Sequence, residues 1–304
     1  MNNPTTPSLS TSHINKPANT ANQGSYLGSF WMVLAALSFT MMGILVKLAS
    51  QKFAMHEHEL VFWRVIFATL ILGTQALLLK QSFKTAYPMA HFGRSFVGSI
   101  SLLMFFYSIA HLPLATAITF SHTSALFLAI LSVIILKQMP SKLTWFALGL
   151  GFFGILLLLR PAILHNGLVP SLMGVSCGLF AGYAYLQVRE LSLKGEPTWR
   201  IVFYFSLLAS IMSALTSSIK GWTSISIESL PYLFGIGCFA IIGQIAMTHA
   251  YKVGRKFMVA ALGYLVVVLS TLYSVFVLQE HLGLLAISGI CLIVLSGLLA
   301  GIKK

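Results

Sequence analysis

The sequence predicts an all-α integral membrane protein of ten transmembrane helices, arranged as two inverted five-helix repeats. Three observations carry that prediction. Of 304 residues, 57% are hydrophobic and 8% charged, whereas a soluble domain carries about a quarter of its residues as charges. Apolar runs close to the roughly 20 residues needed to cross about 30 Å of hydrocarbon recur ten times. Residues 28–160 and 168–302 share one layout.

Residues 1–27 are rich in Asn, Thr, Ser and Pro, with Lys16 as the only charge. They cannot bury enough apolar area to fold alone, and are predicted to form a disordered cytoplasmic tail. The first run, 28–49, is too long for a signal-peptide core and is expected to stay attached as span one. The following spans are predicted at 60–80, 92–111, 114–136 and 142–160, which complete the first half. The second half supplies 168–188, 200–219, 229–250, 257–278 and 282–302.

Ten spans put both termini on one side, and Lys and Arg in alternate connections decide which. On the side of the N-terminus the count is fourteen: Lys16, Lys80, Lys84, Arg94, Lys137, Lys142, Arg189, Lys194, Arg200, Lys252, Arg255, Lys256, Lys303 and Lys304. Opposite are four, Lys47, Lys52, Arg160 and Lys220, with Arg64 set aside inside a span. Both ends are therefore expected in the cytoplasm, with the protein in a bacterial-type inner membrane. The net charge of +13 reads as this topology signal. The basic residues form no single patch, so nucleic acid is not expected as a partner.

The repeat shows in matched segments. Val46-Lys47-Leu48-Ala49-Ser50 aligns with Val188-Arg189-Glu190-Leu191-Ser192 at an offset of 142 residues. Trp63-Arg64-Val65-Ile66-Phe67 aligns with Trp199-Arg200-Ile201-Val202-Phe203. Five spans is an odd number, so the second copy must enter the membrane from the opposite face. Inverted copies of one unit can exchange conformations, which is the basis of alternating access.

These residues resemble the drug/metabolite transporter superfamily, and within it the EamA-type ten-helix permeases. The resemblance covers about 28–302 and rests on Arg64, on Tyr107-x3-His111-Leu112-Pro113-Leu114-Ala115-Thr116-Ala117, on Leu136-Lys137-Gln138 and Leu278-Gln279-Glu280, and on the glycine-bearing last spans, Gly149 to Gly154 and Gly289 to Gly297. Glu often follows the fourth span of each half in that family; here Glu280 is kept and Gln138 stands in its place in the first half. The resemblance implies a five-plus-five bundle around a central cavity that moves small metabolites.

The candidate cavity residues are Arg64, His122, Ser121, Tyr264, Gln244 and Lys47. Arg64 lies about four residues into its span, where a long side chain can snorkel to the interface or turn inward to pair an anion. Lys47 offers the same two readings, and facing inward it adds a second positive charge. Ser121-His122-Thr123-Ser124 is the most polar cluster within a span, deep enough to need a cavity or partners. Tyr264 beside Gly263 is the counterpart of His122 in the second half, and Gln244 beside Gly243 lies deep in span eight. Gly178 and Gly182, four residues apart, predict a close helix crossing.

The chemistry available is narrow. There is no Asp, and the six acids are Glu57, Glu59, Glu190, Glu196, Glu228 and Glu280. Asp-based metal sites and an acidic mid-membrane proton relay are therefore excluded. Cys177, Cys238 and Cys291 have no Cys-x-x-Cys spacing, so no zinc site or disulfide is indicated. The sequence is read as a secondary transporter of a small organic metabolite, an amino-acid, vitamin or nucleoside-like solute, with no cofactor. Its partners are that solute and the lipid bilayer, and a homodimer is allowed. The alternative is an integral-membrane enzyme acting on a lipid or polyprenyl substrate, for which His56-Glu57-His58-Glu59 is the nearest approach to a catalytic or metal cluster.

Overall fold

The computed structural model describes residues 20–136, 142–164, 167–253 and 262–301. Among them the chain is all helix and connection: α1 (Thr20–Phe53), α2 (Glu57–Leu78), α3 (Pro88–His111), α4 (Leu114–His122), α5 (Ser124–Leu136), α6 (Lys142–Leu164), α7 (Leu168–Leu193), α8 (Thr198–Lys220), α9 (Leu230–Val253), α10 (Leu265–Phe276) and α11 (Leu284–Gly301). Six stretches are long and apolar enough to cross a membrane, on α1, α2, α3, α7, α8 and α9, and four shorter apolar stretches lie on α4–α5, α6, α10 and α11. Proline marks several starts: Pro88 in the first turn of α3, Pro113 before α4 and Pro197 before α8, positions where its missing N–H costs nothing.

Two differences from the sequence reading stand out. The helix of α1 begins at Thr20, inside the segment predicted as tail, because a helix nucleated in the apolar run extends through neighbouring residues at one hydrogen bond each. Residues 1–19 of that tail, and Gln138, lie outside the described residues. The fourth apolar run is not one helix either. It is interrupted at Thr123, whose carbonyl accepts from both Leu126 and Phe127 (2.9 and 3.1 Å). Tyr264 interrupts the ninth in the same way, accepting from Val267 and Val268 (3.0 and 3.2 Å).

The main helix pairings are α1 with α9, α3 with α7, α2 with α8, α4 with α10, and α6 with α11. Small residues form the seams, as expected where packing and not hydrophobicity joins helices in lipid. Buried Ser206, Ser210, Ser213 and Ser217 stripe α8. The hydroxyls of Ser210, Ser213 and Ser217 bond to carbonyls of their own helix, and Ser210 also meets Thr69 of α2 (3.3 Å). Gly154 and Gly289 let α6 and α11 cross with almost no gap, since a Cβ on Gly289 would lie 2.8 Å from the Gly154 carbonyl. The crossing predicted from Gly178 and Gly182 is present: α7 packs there on α4–α5, where a Cβ on Gly182 would lie 2.9 Å from the Ser124 carbonyl. Leu, Ile and Phe side chains stay exposed on the outside of every long helix, among them Leu70, Phe92, Phe153, Leu215 and Phe234, a surface suited to lipid.

Two polar knots fasten the ends. Where α1 and α3 finish, buried Lys47 donates to the carbonyls of Ile109 and Leu112 (3.1 and 2.6 Å) and pairs with Glu280 (3.6 Å). Glu280 accepts from the Leu114 amide at the start of α4 (2.9 Å) and from the Ser274 hydroxyl. Gln279, at φ 51°, reverses the chain to bring that carboxylate back. At the opposite end, Glu196 accepts from Thr85 (2.6 Å) and Arg200 (2.9 Å) and lies 3.2 Å from His91 Nε2. Arg200 also donates to the Ser82 carbonyl and Tyr204 to that of Phe83 (2.7 Å each), strapping the α2–α3 connection to α8.

Candidate functional site

Between the knots, polar side chains from several helices meet in the interior. Arg64 sits two turns into α2, half-buried, its guanidinium carbon 5.6 Å from the centre of the Phe106 ring on α3. Arg94 sits two turns into α3, starting from the other end. The positive-inside count treated Arg94 as a loop charge, but it is buried. Its guanidinium lies 4.5 Å from the Phe205 ring, folded over Gly98, where any Cβ would collide with Nη1. Its Nε and Nη1 have no hydrogen-bond partner.

Tyr185 of α7 joins the two arginines. It lies within electrostatic reach of Arg64, Arg94 and Cys177, yet 46% of its surface is accessible. Cys177, one helical face along, takes hydrogen bonds from Ser101 of α3 and Ser121 of α4, with the Ser101 hydroxyl also 3.0 Å from the Cys177 carbonyl. Ser121 and His122 end α4 at the interruption, both half-buried. The His122 ring meets Tyr264, at the second interruption, with centroids 5.8 Å apart. Helix interruptions at membrane depth are tolerated only where they are buried in protein or line a cavity.

Four of the six residues singled out in the sequence thus fall on one connected cluster: Arg64, Ser121, His122 and Tyr264. Lys47 stands apart from it. Its ammonium has three acceptors in the knot with Glu280, so it has no proton left for a solute. Gln244 lies half-buried on α9 beside Gly243, which abuts Phe39 of α1, in the α1–α9 seam. Of the His56-Glu57-His58-Glu59 segment, Glu59 is drawn into the fold, accepting from the amide and hydroxyl of Thr223 (2.6 and 3.1 Å), and the rings of His56 and His58 stack 5.2 Å apart.

Sequence reasoning missed Arg94 and Tyr185. The only signal for Arg94 is the glycine one turn on, at Gly98, which leaves a notch for the folded side chain. For Tyr185 it is the Gly178-x3-Gly182 stripe, whose face it continues three residues later.

The EamA-like transporter family matches residues 26–160 and again residues 169–302. The chain belongs to the EamA-like transporter family. An uncharacterised transporter of Helicobacter pylori is 29% identical over 90% of this chain and 93% of its own length. The pseudopaline exporter CntI of Pseudomonas aeruginosa is 28% identical over 88% of this chain and 94% of its own. A solved crystal structure superposes with a TM-score of 0.61 at 16% identity, covering 92% of this chain and 98% of that one, a likeness of fold. The EamA-like family and these relatives are named for transport, not for catalysis, and this chain is a multi-pass membrane protein of that kind.

Proposed function

We propose that this EamA-like protein is a secondary carrier of a small organic metabolite, working by alternating access between two inverted five-span halves in the cytoplasmic membrane, with both termini inside. The observation that carries the reading is the clustering of Arg64, Arg94, Tyr185, Ser121 and His122 beside two helix interruptions. Carriers place their solute sites near the bilayer midplane at such interruptions.

The helix pairings support inversion. Counting α4–α5 as the fourth span and α10 with the residues before it as the ninth, the pairs are one with eight, three with six, two with seven, four with nine, and five with ten. Exchanging the halves turns the first pair into the second and leaves the other three unchanged, as a pseudo-two-fold axis requires. The interruptions at Thr123 and Tyr264 exchange in the same way. With buried Arg94 and Lys47 left out, the charge bias of thirteen to three still supports the orientation. A relative named as a pseudopaline exporter is consistent with a small organic solute, and Arg64 is read as the group that pairs a carboxylate of it.

The test is counterflow in proteoliposomes, screening amino acids, vitamins, nucleosides and adenosyl compounds. At least one of these solutes is expected to exchange, and Arg64→Gln to reduce that exchange about tenfold or more. Failure of every class to exchange would overturn the carrier reading.

A further inference from the structure

Among the described residues two arginines, Arg64 and Arg94, lie inward with no acid to match them. Every one of the chain's six carboxylates is engaged elsewhere. Glu57 faces Lys220 and His58 (3.8 Å each), Glu59 holds Thr223, and Glu190 pairs Lys194 (2.6 Å). Glu196 holds Thr85 and Arg200, Glu228 faces Lys52 (3.9 Å), and Glu280 pairs Lys47 (3.6 Å). The sequence has no seventh.

A buried guanidinium with unused donors is strongly disfavoured unless an anion meets it. Arg94 is not a stray charge, because the fold is shaped around it: Gly98 supplies the notch and Phe205 the face on which the guanidinium rests. Its Nε and Nη1 remain open. Arg64 approaches from the other end of the bundle, resting on Phe106. Tyr185, half-accessible, is within electrostatic reach of both.

We infer that the site takes a solute bearing at least two carboxylates, one paired with Arg64 and one with Arg94. The inference rests on the carrier reading for its transport consequence but not for binding. A solute with one carboxylate neutralises one arginine and leaves the other uncompensated. A planar guanidinium matches a carboxylate with two parallel hydrogen bonds, so two such forks at separate positions select for both number and spacing of acidic groups.

The experiment uses the purified full chain in detergent, with binding of α,ω-dicarboxylates of increasing chain length followed by calorimetry. Monocarboxylates of matched length and inorganic phosphate are the controls. At least one dicarboxylate is expected to bind about tenfold or more tightly than its monocarboxylate, and Arg94→Gln and Arg64→Gln each to reduce it to the monocarboxylate level. Gly98→Ala, which keeps the charge but fills the notch, is expected to do the same and serves if Arg94→Gln does not fold. No preference for any dicarboxylate, equal binding of phosphate, or a preference that survives both Arg94→Gln and Gly98→Ala overturns the inference. Counterflow separates it from the carrier reading. Dicarboxylate binding without exchange overturns the carrier and leaves this site standing, whereas exchange of neutral or singly charged solutes untouched by Arg94→Gln does the reverse.

Discussion

Lys47 and Arg94 are both buried cations, at 4% and 9% accessibility, and the fold treats them in opposite ways. Around Lys47 the chain supplies two carbonyls and the carboxylate of Glu280, which in turn caps α4. Around Arg94 it supplies an aromatic face and the notch at Gly98 that the guanidinium fills, with no acceptor for Nε or Nη1. One charge holds four helices together and is saturated by the protein. The other is held in place by the protein and left unsaturated. In a membrane, where an unmatched charge is expensive, that difference distinguishes a structural cation from one that awaits a ligand.

The largest effects test the saturated side. Glu280→Gln strands the Lys47 ammonium among carbonyls and is expected to lower stability by about 3–5 kcal/mol, the range for breaking a buried pair from one side. Thermal melting in detergent reads it, and the double variant Lys47→Met with Glu280→Gln is expected to recover part of the loss. Arg94→Met in the absence of solute carries the opposite sign. Removing an unmatched buried charge is expected to leave stability unchanged or raise it by about 1–4 kcal/mol. Equal destabilisation by Glu280→Gln and Arg94→Met would erase the contrast between the two cations.

A smaller pair compares seams. Gly178→Ala drives a methyl against Thr123 and the Phe120 carbonyl, and Gly154→Ala drives one against Ile293 and the Gly289 carbonyl. Each is expected to cost about 1–3 kcal/mol by overpacking. Only the first lies at a helix interruption beside Ser121 and His122, so only Gly178→Ala is expected also to change solute affinity in counterflow. A matching loss of affinity from Gly154→Ala would mean that the α4–α5 interruption has no special relation to the site.

What the sequence made legible follows from what span patterns contain. Apolar run lengths located the helices, and the repeat pointed to Arg64 and to the His122–Tyr264 correspondence, whose rings meet. Arg94 was hidden because charge counting assigns any Arg near the edge of a run to the interface, and only the three-dimensional notch at Gly98 takes it inward. Lys47 was legible as a charge that snorkels to the interface or turns inward, but not as a knot. Its partner Glu280 is in the other half of the chain, brought back by a turn at Gln279 that no local pattern announces. The interruptions were also unread, because Thr123 and Tyr264 are compatible with helix and neither is Pro or Gly. At Thr123 the hydroxyl bonds to the Phe120 carbonyl (2.6 Å) and Gly178 of α7 lies against it.

The smallest prediction concerns the knot opposite Lys47. Burial works to raise the affinity of the Glu196 carboxyl for its proton, but hydrogen bonds from Thr85, Arg200 and His91 outweigh it and hold the group below the usual carboxylate range. A carboxyl depressed in the folded state contributes stability that is fully present above its unfolded value, about 4.3 for Glu, and is lost as pH falls through the folded value. Glu196→Gln is therefore expected to cost about 1–2 kcal/mol near pH 7, with the gap from the natural chain closing only below about pH 4.5. Melting curves from pH 7 to pH 3.5 read that closure. A gap that stays constant down to pH 3.5 would mean that the strap over the α2–α3 connection does not depend on the Glu196 charge. The end of the bundle away from Lys47 would then be fastened by Tyr204 and the loop carbonyls alone.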